Sequence, residues 1–186
     1  MTTTGQPVAE RPHWVFAYGS LMWNPGFATA ETQPARLHGW HRALCIYSEH
    51  YRGTPQKPGL ILGLLAGGSC RGLAHRLPSD GYDAARRYLW DREIRNDGVY
   101  QEVVRPLHLG DGRTVKALVY LADRTHRQFA DKLPIDRVVE LVRHSRGTTG
   151  TNLTYLNNTL AHLRELGLRD PVLETLAQHS NGTTSS

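Results

Sequence analysis

Ala43-Leu44-Cys45-Ile46-Tyr47, Leu60-Ile61-Leu62-Gly63-Leu64-Leu65 and Gly72-Leu73-Ala74-His75-Arg76-Leu77 follow one another along the chain with no helix-period pattern between them. Their apolar residues alternate or run on over short spans, as strands of a sheet do. Neighbouring parallel strands need a helical crossover between them. This succession therefore argues against a doubly wound sheet and for an α+β domain on a mostly antiparallel sheet or small barrel. Working outward, further strands are expected at Val15–Tyr18, Val99–Val104 and Val115–Leu121. The segment Tyr51–Gly59, with Gly53, Pro55, Pro58 and Gly59, cannot hold regular structure and is expected to be a long exposed loop. Loops of this kind often form one wall of a binding site.

Helical periodicity begins after Leu77. Ser79 or Asp80 is expected to cap a helix running to about Glu93. Ile135, Val138, Val139 and Val142 mark a second helix, and Leu153, Leu156, Leu160 and Leu163 a third. Asp170-Pro171 opens a fourth, with proline at the first helical position. A chain of 186 residues suffices for one domain with a complete core, expected over 13–179 with flexible tails at 1–12 and 180–186.

Composition narrows the partners. The net charge of +5 suits an anionic ligand, yet the arginines are scattered among 17 acidic residues and Arg86-Arg87 is the one adjacent pair. A small acidic substrate therefore fits as well as a polyanion, and nucleic acid is not expected. No apolar run approaches the roughly 20 residues of a spanning helix, so no membrane partner is expected. The polar stretch Met1–Glu10 lacks the basic-then-apolar order of a secretory signal, which predicts a cytoplasmic location. Cys45 and Cys70 lie in apolar, strand-like surroundings and read as buried free thiols.

Two places carry candidate chemistry. Trp14-Val15-Phe16-Ala17-Tyr18-Gly19-Ser20-Leu21 runs an apolar strand directly into a Gly-Ser turn. Without a Cβ at Gly19 the chain can bend sharply and a ligand can approach bare N–H groups, with the Ser20 hydroxyl beside them. The turn reads either as a cradle for an anion or oxyanion, or as the ordinary end of a buried strand. The second place is Glu93. Tyr82, Ala85 and Leu89 form the buried stripe of the first helix, and Glu93 continues it. A desolvated carboxylate there has its pKa raised toward neutrality, as a proton-shuttling group requires. The alternative is a helix that frays early and leaves Glu93 paired with Arg92 or Arg95 at the surface.

Other chemistries find less support. Ser20 stands in no G-x-S-x-G elbow. H-E-x-x-H is absent, and His38 and His41 flank Trp40 in a strand-like stretch that favours core or surface roles over ligation, so no metal is expected. Gly63, Gly67, Gly68 and Gly72 match no nucleotide-binding pattern, and no cofactor is expected.

Trp14 to Trp23 are followed in order by Gly39-Trp40-His41-Arg42, Arg52-Gly53-Thr54-Pro55, Lys57-Pro58-Gly59-Leu60 and Gly68-Ser69-Cys70-Arg71-Gly72-Leu73-Ala74. Then come Tyr88-Leu89-Trp90, Arg92-Glu93 and Arg146-Gly147-x-x-Gly150-x-Asn152-x-x-Tyr155-Leu156. In this order, and over most of residues 14–165, the chain resembles the ChaC family of γ-glutamylcyclotransferases, enzymes that degrade glutathione. The resemblance implies a small mixed β-barrel flanked by helices and a lyase-type reaction that converts glutathione to 5-oxoproline and Cys-Gly without metal or cofactor. It implies that Tyr18, Gly19, Ser20 and Leu21 hold the γ-glutamyl end, that Glu93 is the general acid/base, and that Tyr155 touches substrate. Arg52 and Lys57 become candidates for binding the glycyl carboxylate, or else remain solvated loop charges. Two departures stand out: one more residue than usual separates Glu93 from Tyr100, and His75 replaces a common tyrosine. Alternatives are a cyclotransferase for other γ-glutamyl dipeptides or amines, and a non-catalytic binding protein.

Overall fold

A computed structural model describes residues 11–95 and 98–182. Its strands are β1 (Trp14–Ala17), β2 (Glu31–Ser48), β3 (Gly59–Arg76), β4 (Tyr100–Leu109), β5 (Thr114–Ala122) and the two-residue β6 (Arg146–Gly147) and β7 (Gly150–Thr151). Its helices are α1 (Tyr82–Trp90), α2 (Ile135–His144), α3 (Asn152–Glu165) and α4 (Pro171–Asn181). The first five strands close into a barrel in the order β1-β3-β2-β4-β5. All pairs are antiparallel except β1 with β5, so the barrel is mixed, as the sequence led us to expect. Apolar side chains fill it, among them Phe16, Leu37, Leu60, Leu64, Leu107, Leu118 and Tyr120. The helices α2, α3 and α4 pack together beside it through Val138, Val142, Leu156, Leu160 and Leu173.

The strands β2 and β3 are far longer than the patterns Ala43–Tyr47, Leu60–Leu65 and Gly72–Leu77 suggested. Leu60–Leu65 and Gly72–Leu77 belong almost wholly to one strand, pairing with β2 from Gly59↔Ser48 to Arg76↔Glu31. The intervening Ala66–Ser69 and the facing His38–Gly39 are exposed, so no apolar alternation betrays them. Gly39 adopts φ +82° where the register shifts between His38 and Trp40, a bulge position that favours glycine.

Other expectations are corrected. The helix α1 is not capped by Ser79 or Asp80; Gly81 at φ +96° occupies the cap position and offers no side-chain bond. The chain stays helical to Asn181, beyond the boundary where a tail is expected, because Leu176, Ala177 and Ser180 are buried against the body. The remainder of that tail, 183–186, and Met1–Glu10 lie outside the described residues. The loop between β2 and β3 is irregular and mostly exposed, but it is anchored. Thr148 and Thr149 donate their N–H groups to the His50 and Tyr51 carbonyls (2.9 and 3.1 Å), and Gly53 packs on Gly59. Cys45 and Cys70 are buried thiols, raised by burial to about 12 and about 11. His38 meets His108 edge-on, and His41 Nδ1 lies 3.0 Å from the Gly67 carbonyl.

Candidate active site

Where β1 leaves the barrel the chain makes one 3₁₀ turn, Ser20–Met22, closed by Met22 N–H donating to Gly19 O (2.9 Å). The Tyr18 hydroxyl donates to Tyr120 O on β5 (2.8 Å), pinning the start of the turn. Leading N–H groups of any helical turn have no carbonyl inside the turn to meet. Here the N–H groups of Gly19, Ser20 and Leu21 meet no acceptor at all among the described residues. Gly19 is not in the left-handed region, its φ being −134°, and a Cβ there would lie 3.6 Å from Leu62 Cδ1. A methyl group at Gly19 would therefore stand in ordinary van der Waals contact with Leu62, on the cavity wall the two residues share. We expect Gly19→Ala to melt within a few degrees of wild type while its kcat/KM for substrate falls roughly 10- to 100-fold, as for a small displacement of a reacting group. Comparing melting curves with steady-state kinetics checks this.

Glu93 reaches the same place from the other side. Past Trp90 the helix widens into a π-helical turn, Asp91–Arg95, a deviation often found at functional positions. In a regular helix adjacent residues diverge and do not face each other. In this turn Arg92 Nε and Glu93 Oε1 lie 3.1 Å apart, with the Glu93 side chain 15 % exposed. Burial raises the Glu93 pKa, and the Arg92 charge holds the rise in check. Arg92 also donates from Nη2 to Ser20 Oγ (2.7 Å) and from Nη1 to Asn24 O (2.7 Å). The guanidinium therefore joins the carboxylate to the Gly-Ser turn.

Tyr18, Gly19, Ser20, Leu21, Glu93 and Tyr155 all line one small cavity of about 60 Å³. Leu62, Tyr100 and Tyr120, which sequence reasoning missed, complete the wall. The Leu62 main chain organises two of the tyrosines: its N–H donates to Tyr155 Oη (3.3 Å) and its C=O accepts from Tyr100 Oη (2.7 Å). Burial pushes the Tyr155 hydroxyl up to about 12 and raises Tyr18, Tyr100 and Tyr120 as well, so all four are neutral at physiological pH. Arg52 stacks on the Tyr155 ring (5.1 Å) and donates to Thr149 O (2.7 Å), which sets it beside the cavity; Lys57 is an exposed loop residue and does not line it.

The two departures noted above have structural counterparts. His75 is buried, with Nε2 3.0 Å from Leu21 O and Nδ1 3.0 Å from Thr32 Oγ1. A carbonyl only accepts, so Nε2 carries the proton, and burial lowers the ring's pKa and keeps it neutral. The longer spacing after Glu93 includes Asn96 and Asp97, outside the described residues, yet Tyr100 still reaches the cavity. Among the described residues no three His, Cys, Asp or Glu side chains gather as a metal site would need.

The closed five-strand mixed barrel with its flanking helices is a γ-glutamylcyclotransferase-like fold. The chain belongs to the ChaC-like protein family, whose pattern it matches over residues 13–182. Similar to it are the glutathione-specific gamma-glutamylcyclotransferase of Escherichia coli, 38 % identical over 90 % of this chain and 72 % of that one, and its namesake in Schizosaccharomyces pombe, 31 % identical over 82 % and 83 %. The crystal structure of the yeast cyclotransferase specific to glutathione superposes with a TM-score of 0.79 at 21 % identity, covering 92 % of this chain and 98 % of that one, which shows the shared fold. No helix among the described residues is long and apolar enough to cross a membrane.

Proposed function

We propose that this chain is a cytoplasmic γ-glutamylcyclotransferase that cleaves glutathione to 5-oxoproline and Cys-Gly. The observation that carries the reading is the pairing, in one small cavity, of a carboxylate lifted by burial with three N–H groups that have no acceptor among the described residues. The substrate reading is supported by the names of its relatives in Escherichia coli and Schizosaccharomyces pombe.

In this mechanism the α-nitrogen of the γ-glutamyl group bonds to its own γ-carbonyl carbon and closes a five-membered lactam. The α-amine is largely protonated at neutral pH, so the ionised Glu93 first accepts a proton and frees the nitrogen lone pair. The carbonyl π electrons move to oxygen, and N–H groups of Gly19 to Leu21 receive the anionic charge of the bound group. When the oxyanion collapses, the proton held by Glu93 passes to the departing nitrogen as the C–N bond to cysteine breaks. The freed carboxylate then takes the surplus proton from the new ring nitrogen and hands it to the amine of Cys-Gly, which leaves as an ammonium beside a neutral lactam. Water is not consumed. Holding the substrate folded contributes as well, since an aligned intramolecular attack has an effective molarity of about 10⁵ M or more. The neutral tyrosines Tyr18, Tyr100, Tyr120 and Tyr155 shape the cavity without adding negative charge beside Glu93.

The reaction is tested by incubating purified protein with glutathione and assaying 5-oxoproline and Cys-Gly. Absence of both from wild type, with product from γ-glutamyl dipeptides instead, would move the substrate assignment to that class. Arg52 is the residue we assign to the far end of the tripeptide: one guanidinium nitrogen is anchored on Thr149 O, and the anchored plane offers its other donors to a carboxylate. Arg52→Ala is expected to raise KM for glutathione roughly tenfold with kcat little changed, as loss of a charge-assisted bond made in ground and transition states alike requires. An unchanged KM removes Arg52 from substrate binding.

A further inference from the structure

We propose that Arg42 is a positioning residue that aims the Gly19 N–H into the cavity. Arg42 lies on β2, behind the Gly-Ser turn and outside the cavity lining, with its side chain 3 % exposed. Its guanidinium makes three bonds in three directions: Nε donates to Tyr18 O (2.6 Å), Nη2 to Arg71 O on β3 (2.8 Å) and Nη1 to Asp170 Oδ2 (2.8 Å). Asp170 is itself fixed, because its Oδ1 accepts Leu173 N–H as the cap of α4 (3.2 Å). A planar fork held at three corners cannot swing.

The consequence follows from peptide geometry. The Tyr18–Gly19 peptide is trans, like every described peptide bond in the chain, so the Tyr18 C=O and the Gly19 N–H point in opposite directions across one plane. With the carbonyl drawn back onto Arg42, the N–H faces away from Arg42. Gly19 lines the cavity, and this N–H has no acceptor among the described residues. Arg42 thereby singles out one donor of the turn as preset for an anionic oxygen of the bound γ-glutamyl group, before substrate arrives. His75 grips the Leu21 carbonyl at the other end of the turn (3.0 Å), so the segment is braced at both ends. The inference rests on the cyclotransferase reading and names the donor that this reading leaves open.

The test uses a feature of the sequence: Tyr18-Gly19 is its only Tyr-Gly pair. Protein labelled with ¹³C-carbonyl tyrosine and ¹⁵N-glycine gives a single correlation, which reports the Tyr18 carbonyl and the Gly19 amide together. In the Glu93→Gln background, where glutathione should persist, adding glutathione is expected to move the Gly19 amide downfield. In Arg42→Lys the carbonyl shift should change without ligand and the amide response should shrink. Kinetically, Arg42→Lys in otherwise wild-type protein is expected to lose about 10- to 100-fold in kcat. Asp170→Asn disturbs the same ion pair but keeps the bond to Tyr18 O, and should lose far less. An Arg42→Lys protein with wild-type kcat, or a Gly19 amide that ignores glutathione while other cavity signals move, overturns the proposal. So does an Asp170→Asn protein as impaired as Arg42→Lys, which would make the role one of stability alone. If glutathione moves no signal and wild type releases no 5-oxoproline, the substrate reading fails, and with it any donor role of Gly19 toward glutathione. 5-Oxoproline appearing in the Glu93→Gln tube would instead indict the base assignment and leave Arg42 to be judged by kcat.

Discussion

Glu93→Gln is expected to cost roughly 10²- to 10⁴-fold in 5-oxoproline release, the range a positioned proton-transfer group contributes, and to leave the protein at least as heat-stable as wild type at neutral pH. The two halves of this expectation share one cause. Burial raises the carboxylate's pKa above its ordinary value near 4.5, with Arg92 limiting the rise. The folded state thus holds the Glu93 proton more tightly than the unfolded chain does. Stability from this group is full below the ordinary value and is lost as pH rises through the folded one. At pH 7 the ionised side chain is a burden on the fold, which glutamine removes while still offering Arg92 Nε an acceptor. The difference in melting temperature between variant and wild type should shrink toward pH 4, and titrating both by calorimetry measures it. A variant that is dead because it is unfolded, or one that is folded and active, would remove Glu93 from the proposed chemistry.

Asn152→Asp should be strongly damaging although it exchanges only the amide NH2 for oxygen, and its effect should fall on stability. Asn152 opens α3, is fully buried, and meets Leu60 on β3 in both directions: Leu60 N–H donates to its Oδ1 (2.6 Å) and its Nδ2 donates to Leu60 O (2.7 Å). The side-chain amide thus stands in for a strand on the edge of β3 away from β2, where no strand among the described residues pairs with Leu60, and it ties the helix bearing Tyr155 to the strand bearing Leu62. A carboxylate can accept but cannot donate, so the Leu60 carbonyl would be left unpaired against a buried negative charge. A buried group deprived of its partner costs about 1–3 kcal/mol, and more when charge is involved; a loss of roughly 2–5 kcal/mol lowers the melting point of a domain this size by about 5–15 °C. Acidification should restore part of the loss, because the neutral acid again carries a proton to donate. Thermal melts across pH 4 to 8 distinguish this from a simple packing defect, which would be indifferent to pH.

The parts of the fold readable in advance were those where burial follows a period. The apolar run at β1 and the stripe Tyr82, Ala85, Leu89 both announced themselves, and the stripe delivered Glu93. The even choice posed at Glu93, buried carboxylate or surface ion pair, proved not to be a choice. The side chain is half-buried and paired with Arg92 at once, because the long arginine reaches it from the more exposed side. Tyr100 and Tyr120 escaped notice since strand alternation does not say which interior positions surround a cavity and which fill the core. Arg42 left a signal that could have been read: it stands two residues before Leu44 in a strand, where alternation predicts burial, and a buried arginine demands partners. The extent of β2 and β3 was illegible for a different reason. Their middle pairs exposed polar residues through glycines at positive φ, and only tertiary pairing identifies such segments as strands.

The π-helical turn at Asp91–Arg95 gives this enzyme scaffold an uneven tolerance for changes in chain length. Removing one residue from the turn would let it relax to ordinary α-helical winding, and each residue of an α-helix is worth about 100° of rotation. Glu93 would then leave the cavity with the rest of its lining still in place. Loops such as the one joining β4 and β5 can gain or lose residues without moving the carboxylate. In the part of this turn that leads up to Glu93 the count of residues matters as much as their identity, so a chain shortened there would lose the carboxylate from the cavity even with the glutamate itself retained.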